Sequence, residues 1–209
     1  MHAMERPWIS TNLAISADGK ISSVDQRPSG WTSAADHARL KKLRLGAQAL
    51  MVGRGTWMAD RMTMTSAENP LRCVVSGSGK FDPGHPIFQT PGGPIHLLVT
   101  GRGGIDPIKG ALIHHTSLGE FLATLVRDHG VGRLHCEGGG RLIRALAELD
   151  AIDEFHLTWA GHTLFGGKES PTPTGIPGTF LPASLNFELT AFEPTSEGEC
   201  FLSYRRVRG

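Results

Sequence analysis

The sequence is poor in cysteine, nearly neutral in charge and without a long apolar run. Its three cysteines, Cys73, Cys136 and Cys200, are far apart in apolar surroundings, which is more typical of reduced core thiols than of a disulfide framework or a metal site. A formal net charge of +1 over 209 residues leaves no basic stripe for nucleic acid and no polybasic anchor for a membrane. No stretch reaches the roughly 18 apolar residues of a spanning helix, and residues 1–6 have no apolar signal core. We therefore expect a cytoplasmic protein whose partners are neither nucleic acids nor membranes.

The histidines show no spacing that would place two or three metal ligands together. They include the pair His114-His115 and the scattered His85, His96, His135, His156 and His162. Solvated or core histidines are the simpler interpretation, so we predict no metal site. The run from Ser76 to Gly79 does not match the G-x-S-x-G nucleophile turn, and we interpret it as a loop.

Strand and helix patterns alternate along the chain with no break in composition, which predicts one domain over residues 1–209. Alternating apolar residues predict a strand at 8–16, followed by a turn at Asp18-Gly19. Short apolar runs predict buried strands at 49–52, 73–75, 95–99 and 134–136.

Two serines mark the starts of predicted helices. Ser33, followed three residues later by Asp36, predicts an amphipathic helix of about three turns that ends at Gly46. Ser117 and Glu120 predict a second helix by the same capping pattern.

The final third of the chain changes character. Strands are predicted at 155–159, 187–192 and 201–204, with no helix between the last two, so these two should pair antiparallel. The expected fold class is therefore α/β, with a mixed, mostly parallel central sheet, flanking helices and a C-terminal antiparallel hairpin. The Gly/Pro-rich connection 161–185 is longer than ordinary loops, and loops of that length are usually functional or poorly ordered.

One glycine run lies where the strand at 134–136 passes into a helix beginning near Leu142. Gly138, Gly139 and Gly140 let backbone N–H groups approach a phosphate closely, and a helix N-terminus adds partial positive charge. We interpret this run as a pyrophosphate cradle, although a glycine turn can also be a simple connection. Gly139→Val is expected to weaken cofactor binding while the fold survives.

A second glycine turn follows the strand at 49–52. The turn after that strand contains Gly53, Arg54 and Thr56, and the threonine is expected to cap the next short helix. The turn lacks the third glycine and the later acidic residue of a Rossmann fingerprint. Arg54 suits a 2′-phosphate instead, which favours NADPH over NADH.

Together these segments resemble the riboflavin-pathway pyrimidine reductases, in their stand-alone form rather than fused behind a deaminase domain. The resemblance covers nearly the whole chain and rests on five segments in the family's order. They are residues 10–14 with Asp18-Gly19-Lys20, residues 29–33, residues 52–56, residues 137–140 and residues 166–172. The family shares the dihydrofolate reductase fold, which the resemblance therefore implies.

The resemblance also implies site residues. The family's cofactor contacts fall on Ala14, Trp31, Thr56, Asp60, Ser76, Gly77, Gly139, Gly140, Arg141 and Leu142. Its substrate contacts fall on Ser29, Arg44 and Glu137.

Each of these assignments has a structural alternative. Trp31 would otherwise be a core aromatic, and Arg44 a surface arginine that complements the helix dipole. Glu137, a carboxylate at the buried end of a strand, needs a partner, which is either the exocyclic amine of a substrate or a neighbouring backbone amide or arginine.

The substrate is the open question, because Ala67 stands where the family has an arginine that helps to hold the substrate's phosphate. Either Arg61 takes that role or the substrate carries no ribose phosphate. We expect an NADPH-dependent reductase that acts on the ribosylamino group of a 5-amino-6-(5-phosphoribosylamino)uracil-type riboflavin precursor. The alternatives are a dihydrofolate reductase-like enzyme with a non-phosphorylated substrate and a non-catalytic dinucleotide sensor. We also expect a homodimer.

Overall fold

The computed structural model describes residues 5–23, 25, 30–175 and 181–208. Within these ranges nine strands form one sheet. They are β1 Trp8–Ser16, β2 Ala49–Gly53, β3 Leu71–Ser76, β4 Ile95–Val99, β5 Ala111–His115, β6 Arg133–Cys136, β7 Glu154–Ala160, β8 Phe187–Pro194 and β9 Glu199–Arg206. The helices are α1 Ala34–Arg44, α2 Arg54–Ala59, α3 Leu118–His129 and α4 Gly140–Glu148, with a short 3-10 helix at Pro86–Phe88.

The spatial order of the strands is β5-β4-β3-β2-β6-β1-β7-β9-β8. Every pair from β5 to β7 is parallel, whereas β9 pairs antiparallel with both β7 and β8. The expected α/β class with an antiparallel C-terminal hairpin is confirmed. Strand β6 lies between β2 and β1. The chain leaves β2 toward β3 and leaves β6 toward β7, so the connections after these two neighbouring strands run in opposite directions across the sheet. Such a switch point, at the carboxyl ends of parallel strands, is where open α/β sheets bind ligands.

The core lies on both faces of the parallel strands, because successive side chains point in opposite directions. On one face, Ala49 and Met51 of β2 pack with residues of α3 and α4. On the other face, Leu50 and Val52 pack with Trp57 of α2. The three cysteines are free and buried, as predicted.

The predicted serine cap of α3 is confirmed. The hydroxyl of Ser117 accepts a hydrogen bond from the N–H of Glu120 at 3.2 Å, and Gly130, with φ of 64°, ends the helix. Only glycine takes this left-handed conformation at low cost.

Helix α1 begins at the predicted cap Ser33, but the expectation that it is amphipathic is wrong. None of its 11 residues, all of which the structure describes, is buried. Polar contacts hold it to the sheet instead. Asp36 accepts a hydrogen bond from the hydroxyl of Thr158 at 2.6 Å, and the guanidinium of Arg39 donates to the carbonyl oxygen of Leu202 at 2.9 Å.

The turn predicted at Asp18-Gly19 is present, since the N–H of Gly19 donates to the carbonyl oxygen of Ser16 at 3.0 Å. In the described parts of the connection 161–185, the only β-structure is a bridge between Thr172 and Gly175. No helix among the described residues has both the length and the apolar character needed to cross a membrane.

Candidate active site

The two glycine turns of the sequence meet at the carboxyl edge of the sheet. The N–H of Gly53 donates to the carbonyl oxygen of Gly138 at 3.3 Å, and the N–H of Glu137 donates to that of Met51 at 2.8 Å. These bonds extend the pairing of β2 with β6 beyond the ends of the strands. Residues 53–56 and 137–140 therefore form one continuous surface.

Gly138 and Gly139 both have φ of 89°, which explains why glycine stands at each position. A Cβ at Gly139 would lie 3.2 Å from the hydroxyl oxygen of Thr56. Valine at this position would be strained in its backbone and crowded at its side chain, so Gly139→Val should lower stability as well as cofactor affinity. Gly139 is also the N-cap of α4, so the unpaired N–H groups of the first helical turn begin here.

Two local predictions are corrected at these turns. Thr56 does not cap α2, because Gly53 holds the N-cap position and Thr56 lies within the first turn. Helix α4 begins at Gly140, two residues before the predicted start near Leu142.

The first turn of α4 is covered by the connection after β7. A Cβ at Gly140 would lie 2.6 Å from both the carbonyl oxygen of Thr172 and the nitrogen of Gly175. Gly140 is therefore small because the chain packs against it. Leu142 points into the core and its N–H donates to the carbonyl oxygen of Gly139 at 2.9 Å, whereas Arg141 is exposed.

Arg44 and Glu137, the two described residues of the predicted substrate site, are brought together as an ion pair. The Nε and Nη2 groups of Arg44 donate to the two carboxylate oxygens of Glu137 at 2.5 and 2.7 Å. The Glu137 side chain is 2% exposed and that of Arg44 is 16% exposed. The Nη1 group of Arg44 also donates to the carbonyl oxygen of Thr65 at 3.0 Å, which brings the segment before Ala67 to the same place. Ser29, the third predicted substrate residue, lies outside the described residues.

Sequence reasoning missed Asn12, which lies on the same side of the sheet as α1. In the parallel register of β1 and β7, Ala14 is opposite Thr158, which contacts α1, and Asn12, two residues before Ala14, lies on the same face as Ala14. The Oδ1 atom of Asn12 is buried and finds no hydrogen-bond partner among the described residues, and the same is true of Nε2 of His135. Buried polar atoms without a partner are rare and often face a ligand or water. The signal in the sequence was a polar side chain at an inward position of a central strand.

His135 is the most strongly perturbed histidine near this face. Burial lowers its pKa to about 3, and the nearby His156 and Arg44 act in the same direction. Its Nδ1 atom lies 2.8 Å from the hydroxyl of Ser10. The imidazole is therefore neutral at physiological pH.

Trp31 lies in the turn before α1, half-buried. Its ring meets the ring of Phe165 edge to face, with centroids 5.0 Å apart. The carboxylate of Asp18 accepts hydrogen bonds from the N–H groups of Phe165 and Gly166 at 3.3 and 2.8 Å. Asp18, one of the residues that carry the family resemblance, thus fixes the loop on which Trp31 rests.

The remaining predicted cofactor residues lie along the same edge. Arg54 begins α2, and its Nε group donates to the carbonyl oxygen of Lys80. Ser76 ends β3, with Gly77 after it, and its hydroxyl accepts hydrogen bonds from the N–H groups of Ser78 and Gly79, so this run is a loop as predicted. Asp60 lies at the opposite end of α2 from the glycine turn, and Ala14 lies in β1.

Next to the loop after β3 is a cavity of about 370 Å³. Phe81, Phe88, Ile105 and Ile108 are among its lining residues, and Lys80 and Lys109 are the lysines at it. Asp106 also lines the cavity, which therefore combines apolar walls with two lysines and one carboxylate.

Three histidines that appear scattered in the sequence are clustered elsewhere, at the β4–β5 side of the sheet. Nδ1 of His96 lies 3.0 Å from Nε2 of His114, and the ring of His129 meets that of His96 edge to face. Among the described residues, no set of three potential ligands has an arrangement that would hold a metal ion.

Comparison with known proteins identifies relatives over most of the chain. The profile of the RibD C-terminal domain family matches residues 7–201. A relative from Archaeoglobus fulgidus, named 2,5-diamino-6-ribosylamino-4(3H)-pyrimidinone 5′-phosphate reductase, is 30% identical over 192 residues, covering 80% of this chain and 85% of the relative. A relative of the same name from Methanothermobacter thermautotrophicus is 26% identical, with coverage of 80% and 83%.

Solved structures show the same fold. RibD of Acinetobacter baumannii superposes with a TM-score of 0.79 at 18% identity over 97% of this chain, which spans 58% of that chain. The riboflavin biosynthesis reductase Rib7 of Saccharomyces cerevisiae superposes with a TM-score of 0.75 at 16% identity, covering 97% of this chain and 90% of that chain. The expected dihydrofolate reductase-like fold is confirmed, and the chain belongs to the RibD C-terminal domain family.

Proposed function

We propose that this protein is an NADPH-dependent reductase of riboflavin biosynthesis, which reduces the ribosylamino group of a phosphorylated aminopyrimidine. The observation that carries the proposal is the Arg44–Glu137 pair beside two facing glycine turns, because it joins a polar recognition site to a phosphate cradle. The names of the two archaeal relatives favour a 2,5-diaminopyrimidinone over the 5-aminouracil expected from the sequence. The family match over residues 7–201 supports a single reductase domain.

The residues at the carboxyl edge fit the dinucleotide. Gly138 and Gly139, both with φ of 89°, shape the turn that leads into α4, and the first turn of this helix would offer N–H groups to the pyrophosphate. Arg54, held next to Lys80, suits the 2′-phosphate. The neighbouring cavity of about 370 Å³, with apolar walls and lysines, suits the adenosine end.

When bound, NADPH would supply the hydride for reduction at C1′ of the ribose; the bond from C1′ to the ring oxygen would break, and that oxygen would take up a proton. Glu137 would accept hydrogen bonds from the amino groups of the pyrimidine, with Arg44 holding the carboxylate in place. The unpaired Oδ1 of Asn12 is a further acceptor on the same side of the sheet. The protein thus orients the substrate and excludes water, and the hydride comes from the cofactor.

The test follows oxidation of NADPH with a panel of substrates. Oxidation with the phosphorylated diaminopyrimidine, and much less with its dephosphorylated form, would support the proposal. Preference for the dephosphorylated form would mean that the alanine at position 67 reports a substrate without phosphate. Reduction of dihydrofolate alone would support the dihydrofolate-type alternative, and tight NADPH binding without turnover of any substrate would indicate a sensor.

We further propose that the protein acts as a homodimer in the cytoplasm. On one face of the C-terminal strands, Leu157 of β7, Leu202 of β9 and Phe192 of β8 are opposite one another, and paired residues point to the same side. Trp159, Leu189 and Phe192 on this face are 44, 52 and 63% exposed. They mark an apolar surface on the order of 300 Å², a size that is often functional, and two copies of one sheet face can pack about a two-fold axis.

Sedimentation velocity tests this arrangement. The wild-type protein should sediment as a dimer and Phe192→Glu as a monomer. A wild-type monomer at micromolar concentration would contradict the proposal. Buried reduced cysteines agree with a cytoplasmic site of action.

A further inference from the structure

A second buried carboxylate lies at the start of α1, away from the Arg44–Glu137 pair. Glu199 is the first residue of β9, and its side chain is 0% exposed. Its Oε1 atom accepts a hydrogen bond from the N–H of Ser33 at 2.7 Å, and its Oε2 atom accepts one from the Ser33 hydroxyl. The Nε2 atom of His162 lies 3.6 Å from Oε1. Both oxygens of a buried carboxylate are thus directed at one serine.

Ser33 connects the turn that contains Trp31 to helix α1. Its hydroxyl oxygen also accepts a hydrogen bond from the N–H of Asp36 at 3.1 Å, so it is the N-cap of α1. Trp31 stands two residues before it, and Arg44 is the last residue of the helix that it starts. A group that holds Ser33 in place therefore also positions the loop that carries Trp31 and the helix that carries Arg44.

This dependence is strong because α1 has no fully buried apolar residue; Leu40 and Leu43 are only half-buried. A surface helix is ordinarily located by an apolar stripe packed on the core, which is non-directional and tolerates small shifts. In α1 no residue is buried, and directional contacts at Ser33, Asp36, Arg39 and Arg44 take that place. Without the Glu199–Ser33 contact, the start of the helix would be located only by the Asp36–Thr158 hydrogen bond, with Arg39 one turn later.

Burying a carboxylate is costly unless it is well paired. Asp153, at the opposite edge of the sheet, shows the ordinary solution, because Arg6 and Arg208 both contact it. Glu199 has no arginine or lysine in the ion pairs of the described residues and is satisfied chiefly by the loop that it holds. The hydrogen bonds that stabilise the buried carboxylate of Glu199 are therefore the same ones that hold the loop at Ser33 in place.

We propose that Glu199 is a positioning residue, which sets Trp31 and Arg44 through Ser33 and so orients both ligands. The proposal rests on the function proposed above and on the family resemblance, which implies that Trp31 contacts the cofactor and Arg44 the substrate. Glu199 itself touches neither ligand.

The test compares Glu199→Ala, Glu199→Gln and Ser33→Ala with the control Asp153→Asn, a buried carboxylate of similar exposure far from the site. We expect Glu199→Ala to raise KM for the pyrimidine and the Kd of NADPH roughly ten- to hundredfold, the range of one charge-assisted hydrogen bond, with kcat changed much less. Glu199→Gln keeps an acceptor for the N–H of Ser33 and should recover part of the loss. Asp153→Asn should lower Tm comparably and leave KM and Kd unchanged.

Two further measurements separate positioning from mere stability. If Glu199 acts through Ser33, the double variant Glu199→Ala/Ser33→Ala should be no worse in KM than the worse single variant. Amide hydrogen exchange should speed up at the start of α1 in Glu199→Ala but not in Asp153→Asn, which requires no activity. Additive losses in KM, or Glu199 variants that lower Tm alone, would overturn the proposal. If wild-type protein binds no NADPH but the exchange result holds, the proposed function fails while the positioning of α1 by Glu199 stands.

Discussion

Glu137→Gln keeps the shape of the side chain and removes the charge from the carboxylate that faces Arg44. One of the two bonds, at 2.5 and 2.7 Å, would then place an amide donor against a guanidinium donor. A lost charge-assisted hydrogen bond costs about 1.5 to 3 kcal/mol. The cost should stay below that of breaking a fully buried pair, because Arg44 remains 16% exposed. For a chain of this size the loss corresponds to a fall in Tm of about 3 to 12 °C.

Activity should fall beyond this loss of stability. A substrate amine that meets the new amide group is mispaired in a dry site, so kcat/KM should drop roughly ten- to hundredfold. The Kd of NADPH should change little, since the glycine turns are untouched. The control is Glu148→Gln, the same chemical change in the pair that Glu148 makes with Arg144, where the Glu148 side chain is 42% exposed. It should change neither Tm nor activity appreciably.

Tm, NADPH affinity and turnover per folded molecule are to be measured on one preparation. A destabilised Glu137→Gln protein with normal turnover would refute the assignment, because Glu137 would then serve only to hold Arg44. Equal losses in NADPH and substrate affinity would point to the same structural role.

Three further predictions concern other parts of the molecule. Arg54→Ala should weaken NADPH binding roughly ten- to hundredfold and leave NADH binding unchanged, which fluorescence titration of both cofactors would measure; equal wild-type affinities would contradict the 2′-phosphate assignment. Gly140→Ala should cost about 1 to 3 kcal/mol, seen as a lower Tm, because its Cβ would lie 2.6 Å from Thr172 and Gly175; an unchanged Tm would mean that this loop does not pack on α4. Burial lowers the pKa of His96 to about 4, so the unfolded chain, with a histidine pKa of about 6.5, binds the proton first and stability falls as pH drops between these values. Denaturant unfolding near pH 7 and pH 5 measures the free energy of unfolding at each pH. This free energy should fall less steeply in His96→Gln, by up to about 1.4 kcal/mol per pH unit, and equal slopes would show that His96 does not cause the fall.

Local signals in the sequence predict the elements whose causes are local. The bounds of β1 and β4 follow from alternation and from a short apolar run, because these strands are flanked by turns. The starts of α1 and α3 follow from Ser33 and Ser117, whose hydroxyls satisfy backbone N–H groups within three residues. In each case the contact that determines the element is made between residues close together in the sequence, so the sequence pattern alone predicts it.

Other features depend on contacts made far along the chain. Strand β5 is short and half-exposed, so its apolar signal is weak, and it forms because β4 offers a parallel edge. The polar docking of α1 is set by Thr158 and Glu199, more than 100 residues away. The clustering of His96, His114 and His129 likewise arises from the order of β4, β5 and α3 in space.

The candidate site lies between these two cases. Each of its glycine turns is a local signal, and their meeting follows from topology, because parallel strands end at one edge of the sheet and β6 is adjacent to β2. The pairing of Arg44 with Glu137 is different, since 93 residues separate them and each has a separate local explanation. A family resemblance assigns both to the substrate without showing that they contact each other. Because of that contact, a substitution that changes how Glu137 meets the substrate also changes how α1, through Arg44, is held to the sheet, so the loss of activity has to be compared with the loss of stability.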